Sequence, residues 1–165
     1  MSRTLTVTLS PSSINTAIQE LERIKKNIRD KSAVLTRRLA EIGLEQAQIL
    51  FTGAMYDGVN DVECEVVQTD NGYMVVAKGQ AVCFIEFGSG VFYNGTDAYP
   101  GKRPPDVVGI GQYGLGQGKK KGWVYRDEAG ERQFTRGNPP AAAMFNASER
   151  MRSQVTQICR EVFGS

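Results

Sequence analysis

Histidine is missing from this 165-residue chain, and its absence removes a large part of enzyme chemistry. Ser-His and Cys-His nucleophile pairs, imidazole acid–base catalysis and His-containing zinc sites are all excluded. Cysteine is scarce. The three present, Cys64, Cys83 and Cys159, are far apart with no CxxC, so a four-thiolate metal centre is excluded too. An odd, scattered set of this kind reads as buried reduced thiols in a cytosolic protein rather than a disulfide framework. Long apolar runs are also lacking. The longest, such as Ala81 to Ile85, fall far short of a membrane span, and the N-terminal residues show no secretory-signal pattern. The triplets at Asn94 to Thr96 and Asn146 to Ser148 match the glycosylation motif, and in that context they read as chance matches.

What is present fits one globular domain over residues 1–165. Apolar residues make up 41% and charged residues 23%, and a chain of this length buries roughly 70% of its unfolded surface. The net charge of +2, from 20 basic and 18 acidic residues, is no signature of a nucleic-acid binder. It is nevertheless an average over unlike segments. Residues 1–56 carry net +3, residues 57–87 net −5 and residues 88–137 net +3. Glycine is more uneven still, with ten of the 18 between Gly88 and Gly122. That density predicts a long loop, and long loops in compact domains usually serve a function.

Periodicity divides the rest. Leu5, Val7 and Leu9 alternate with threonines, predicting a half-buried strand over residues 3–9. Ser10-Pro11 then supplies an N-cap and a first-turn proline. Ile14, Ile18, Leu21, Ile24 and Ile28 recur at helical spacing, and Leu35, Leu39, Ile42 and Ile49 continue the pattern to a stop at Thr52-Gly53. Asp30-Lys31-Ser32 reads either as a break, with Asp30 and Ser32 both plausible caps, or as a continuation; two N-terminal helices are expected within residues 1–56. Within 57–87, Val62 to Val67 and Tyr73 to Ala77 flank Asp70-Asn71-Gly72, a hairpin signal, and Ala81 to Phe87 reads as a central strand. Within 123–137, Trp123 to Tyr125 and Gln133 to Thr135 predict a second hairpin. Asn138-Pro139-Pro140 then opens a closing helix over 138–165, with Met144, Ser148, Met151, Val155, Ile158 and Val162 on one face. The expected class is α+β: an antiparallel sheet of about four to six strands against two N-terminal helices and one long C-terminal helix, with the glycine-rich loop over 88–122.

Candidate chemistry is sparse. Gly109 to Gly114 spells GxGxxG, but Pro104-Pro105 precedes it and a glycine- and lysine-rich stretch follows. The dinucleotide fingerprint needs a strand before and a helix after. Gly118-Lys119 lacks the earlier glycine and the Ser or Thr of a phosphate-binding loop. Glu63 and Glu65 share one strand face, a pairing that glycosidases and hard metals use; with Val62, Cys64 and Val66 inward, they read as solvent-facing. Glu86, between Ile85 and Phe87, is either the outward residue of a strand or a partly buried carboxylate paired with an arginine. Lys119, Lys120 and Lys121 stand beside Trp123 and Tyr125, a combination that can contact a phosphate backbone or single-stranded bases. A solvated loop tip is the plainer reading. No cofactor or metal is expected.

Two segments point to a family: Phe84-Ile-Glu-Phe-Gly-Ser-Gly90, and the stretch from Gly122-Trp-Val-Tyr125 through Phe134 to Thr135-Arg-Gly-Asn-Pro-Pro-Ala-Ala-Ala-Met-Phe-Asn-Ala147. Together with the helical region ending at Thr52-Gly53, they give most of the chain, in order, a resemblance to the tail-completion or neck proteins of long-tailed phages and prophages, the gene-product-ten-like family of the HK phage type. Leu50-Phe51 stand where that family often has a proline, and Ala141 to Ala143 where it often has an aromatic residue. The resemblance implies a non-enzymatic virion morphogenesis protein that completes the tail or joins it to the head as a ring around the DNA channel. It implies as partners copies of the chain itself and phage connector, tail terminator or tail tube proteins, with the host cytoplasm and then the virion neck as locations and no membrane. Glu86, Lys119, Lys120, Lys121 and Trp123 are the candidate contact residues, the lysines also toward channel DNA. Segments of opposite charge suit the unlike surfaces that a ring contact joins. A nucleic-acid-binding module using the basic loop is the alternative, and a histidine-free enzyme built on carboxylates is a third.

Overall fold

The computed structural model describes residues 7–56, 58–89, 99–101, 122–127 and 129–164, excluding the Trp123 side chain. Most of the expected N-terminal strand and most of the glycine-rich loop, with Gly109 to Gly114 and Lys119 to Lys121, lie outside the described residues.

One helix, α1, runs from Pro11 to Thr52. Its start follows the local signals. Ser10 is extended, its Oγ accepts from the Ser13 N–H at 3.3 Å, and Pro11 occupies the first turn. Its end is equally local, with the Gly53 N–H donating to the Ile49 carbonyl at 3.0 Å. The expected division into two N-terminal helices is corrected. Asp30 and Ser32 lie inside a continuous helix, because neither residue costs more than about 0.7 kcal/mol in a helix interior. At 42 residues, α1 is about 63 Å long.

Strands β1 (Glu63–Thr69) and β2 (Gly72–Lys78) pair antiparallel, with Thr69 opposite Gly72. The turn is Asp70-Asn71, and Gly72 follows it at φ +148°, where a side chain is strained. Cys64, Val66 and Val67 are half-buried while Glu63 and Glu65 face outward, and Glu65 pairs with Lys78 on the neighbouring strand. Strands β3 (Trp123–Arg126) and β4 (Arg132–Thr135) form a second antiparallel hairpin. Its turn is closed by the Asp127 carboxylate, which accepts from the Glu131 N–H at 2.9 Å and from Gln133 Nε2 at 3.0 Å.

The expected single sheet of four to six strands is not what forms. The described residues hold two separate two-stranded sheets and three helices, an α+β arrangement only in the loose sense. The cause lies in Ala81 to Phe87, expected as a central strand. Val82–Phe87 is the short helix α2, so no strand bridges the hairpins. Asp61 holds the start of α2, accepting from the Gln80 and Ala81 N–H groups at 2.7 and 2.9 Å. A short continuous apolar run reads equally as a buried strand or a buried helix, and a carboxylate 20 residues upstream decides between them.

The last helix, α3 (Ala143–Phe163), starts later than Asn138-Pro139-Pro140 suggests. It runs antiparallel to the second half of α1: Met151 lies against Gly43, and Arg38 meets Glu161 at 2.6 Å. The core sits where these helices meet α2. Ala47, Phe51, Ala81, Ile85, Ala143 and Ala147 are buried together, with Val62, Cys64, Val75 and Ala77 of the first hairpin region packed against them. Alanines on the facing helices keep side chains short at the contact, and interaxial distance follows side-chain size. The three cysteines, expected to be buried, are not: Cys64 and Cys159 are half-buried and Cys83 is exposed on α2.

Candidate functional site

Ile85 to Ser89 and Asn138 to Ala142 are joined in the fold, at the junction of α2 and α3. α2 ends at Gly88, whose φ of +74° turns the chain sharply. A Cβ there would stand 2.7 Å from the Pro140 nitrogen and 2.9 Å from the Asn138 carbonyl oxygen, so the two backbones touch only because the residue is glycine. Next to it Ser89 and Asn138, both buried, are joined by three hydrogen bonds, one of them from the Asn138 N–H to Ser89 Oγ at 3.3 Å. The Ser89 N–H donates to the Asn138 carbonyl at 2.9 Å, and Ser89 Oγ donates to Asn138 Oδ1 at 2.6 Å. Asn138 Nδ2 reaches back to the Phe84 carbonyl at 2.7 Å. The Ala141 and Ala142 N–H groups then donate to the carbonyls of Ile85 and Glu86 at 2.8 and 3.0 Å. These are carbonyls of a helix end, which otherwise lack partners.

Glu86 closes the node. It is 4% exposed, and its carboxylate lies against the start of α3. There it accepts from the Met144 N–H at 2.8 Å and the Phe145 N–H at 3.1 Å. The Tyr99 hydroxyl adds a third donor at 2.9 Å. Ala142, at the N-cap position, is left-handed with φ +49° and offers no capping side chain. Glu86 therefore supplies, from another helix, the acceptor and the negative charge that the start of a helix favours. Above it Tyr99 packs between Phe87 and Phe145, with ring centroids 4.9 and 5.9 Å away.

Glu86 is thus the buried carboxylate of the second expectation, on a helix rather than facing outward from a strand, and among the described residues its partners are helix N–H groups and a phenol. Trp123 pairs through its backbone with Thr135 in the second hairpin, far along the chain from Glu86. Lys119, Lys120 and Lys121 lie outside the described residues. Ser89, Asn138 and Tyr99 were missed as members of the node. Ser89 and Asn138 stand inside the two likeness segments, which is the signal that could have found them. Asn138, expected to open the last helix, instead lies before it and ties Ser89 to Phe84.

The chemistry available at the node is restraint. Ser89 is bound to an amide oxygen, which takes no proton at neutral pH, and the Glu86 carboxylate is engaged by three donors. A shallow cleft nearby is lined by Tyr56, Asp61, Gln80, Phe84, Tyr125 and Arg126. In it the Tyr56 hydroxyl is held above its ordinary pKa, chiefly by burial and then by Asp61 and Tyr125. Backbone donation from Ala81 and Gln80 holds Asp61 below the usual carboxylate range. Among the described residues no group of three or more Cys, Asp and Glu is placed to hold a metal ion, and no helix is long and apolar enough to cross a membrane.

No protein-family model, curated protein or solved structure matches the chain. A function for it rests on its own residues.

Proposed function

We propose that this chain is a virion morphogenesis protein of a long-tailed phage or prophage. It completes the tail or joins tail to head, assembled as a ring around the DNA channel, and works by binding rather than by catalysis. The observation that carries the reading is the order of Thr52-Gly53, Ile85 to Ser89, Trp123 to Tyr125 and Asn138 to Pro140 along the chain. It is supported by the way the second and fourth of these meet, in a hydrogen-bonded node that fixes α2 against α3. A subunit that is stacked between other proteins needs a rigid frame of this kind. Its partners would be copies of itself and the connector, terminator or tube proteins on either side, first in the host cytoplasm and then in the virion neck.

Deleting the gene from a phage or prophage that encodes it tests the reading directly. Electron microscopy should then show filled heads and finished tails lying separate, and the wild-type chain supplied in trans should restore joined particles. Joined, infectious particles without the chain would overturn it. Tight, salt-dependent DNA binding by the isolated monomer would instead favour a nucleic-acid-binding module using Lys119 to Lys121.

A further inference from the structure

The first half of α1 presents an apolar face that no described element covers. α3 runs antiparallel along the second half, and its last turn already meets Arg38 through Glu161. From Pro11 to Asp30 every residue is exposed except Ser13, Ala17, Glu20 and Ile24, which are only half-buried. Ile14, Ile18, Leu21 and Ile28 are 42, 49, 57 and 53% exposed.

Their spacing is ordered. Ile14, Leu21 and Ile28 recur every seventh residue, and Ala17 and Ile24 fall three places after the first two. These are the a and d positions of a coiled-coil repeat, and between residues 14 and 28 none of them is charged. Lys31 and Arg38 take the next two d positions, so the apolar d row ends near where the last turn of α3 meets α1. The residues that α1 buries, Ala40, Gly43, Ala47 and Phe51, all lie beyond the repeat.

The flanking charges select an orientation. Glu20 is at g and Lys25 at the following e, positions that face each other across a parallel pair. An antiparallel pair would set g against g and e against e. Within its own helix Glu20 also holds Arg23, at 2.7 and 2.9 Å, and a carboxylate can accept from both cations.

We propose that residues 14–28 of α1 associate in parallel with the same segment of a second copy of this chain, through Ile14, Ala17, Leu21, Ile24 and Ile28, with Glu20 of each copy against Lys25 of the other. The contact is reciprocal, a two-fold one, and so is distinct from the head-to-tail contacts that close a ring.

The test is the mass of the full chain across concentration, by light scattering or sedimentation, for the wild type and four variants. Leu21→Asp, at an exposed position, should keep the circular dichroism of the folded chain and move association to at least about tenfold higher concentration. Glu20→Lys and Lys25→Glu should each weaken association, and the charge-exchanged double variant should recover it. A wild type that stays monomeric throughout, association that Leu21→Asp leaves unchanged, or a double variant weaker than either single one would each overturn the proposal. Its failure is separable from that of the reading above: Leu21→Asp chains that form rings on particles and still join heads to tails would remove this seam alone. Particles that join without the chain would remove only the head–tail role.

Discussion

A buried carboxylate is stable when donors replace the water it gives up, and Glu86 takes three. Glu86→Gln keeps the shape, loses the charge, and turns an amide N–H₂ toward donors. It should lower stability by about 1–2 kcal/mol, and Glu86→Ala by roughly 3, as read from urea unfolding midpoints. Gly88 answers to a different constraint. Gly88→Ala meets both a left-handed φ and the Asn138–Pro140 backbone, and should cost roughly 2–4 kcal/mol by the same measurement. A Gly88→Ala chain as stable as the wild type would contradict the geometry of the node. Both residues were visible in the sequence as part of one segment. What they touch was not, because all of their partners but Tyr99 lie 50 to 59 residues further along the chain.

Among the elements, α1 is two helices energetically though one geometrically. Its second half shares the core with α2 and α3, while its first half relies on capping, propensity and, in the proposal above, a second copy. Most helical stability in proteins comes from packing an amphipathic face, so the two halves should open independently. In the Leu21→Asp variant, amides of residues 11–31 should exchange faster than those of 40–51 by about two orders of magnitude. Equal protection along α1 would show that another part of the chain covers the first half. The repeat of apolar residues over 14–28 was legible as an amphipathic helix. That its face would be left uncovered by α3 was not, since periodicity reports which side is apolar and says nothing of what lies against it.

For the molecule as a whole, the missing histidine becomes a statement about pH. No side chain in it titrates ordinarily between about pH 6 and 8, so unfolding stability should be flat there. On the acid side three carboxylates among the described residues are held below their ordinary values: Asp61 by the Ala81 and Gln80 N–H groups, Asp127 by Gln133 and then the Glu131 N–H, and Glu161 by Arg38 and Gln157. A depressed carboxylate contributes stability above its unfolded value and loses it as pH falls through its folded one. Stability should therefore drop as pH falls below the ordinary carboxylate range, and Asp61→Asn should remove part of the drop. On the alkaline side burial raises the Cys64 thiol and the Tyr56 phenol. Both favour the protonated fold, so stability should decline again as pH rises past their ordinary values. Urea midpoints across pH would show a plateau with two shoulders; a transition near neutrality would refute this account.

Elements whose signals and partners lie within a few residues could be read from the chain alone. Ser10-Pro11 starts α1, Gly53 stops it, and both hairpins turn where Asp70 to Gly72 and Asp127 to Gly130 stand. A cap or a tight turn is made by neighbours, so the local residues settle it. The helical state of Val82–Phe87, the late start of α3 and the separation of the two hairpins were decided in three dimensions. Each depends on groups remote in sequence: Asp61 on α2, Glu86 on α3, Asn138 on Phe84. Competing backbone states of a short apolar run differ by little in isolation. A buried charge that finds, or fails to find, its donors outweighs that difference.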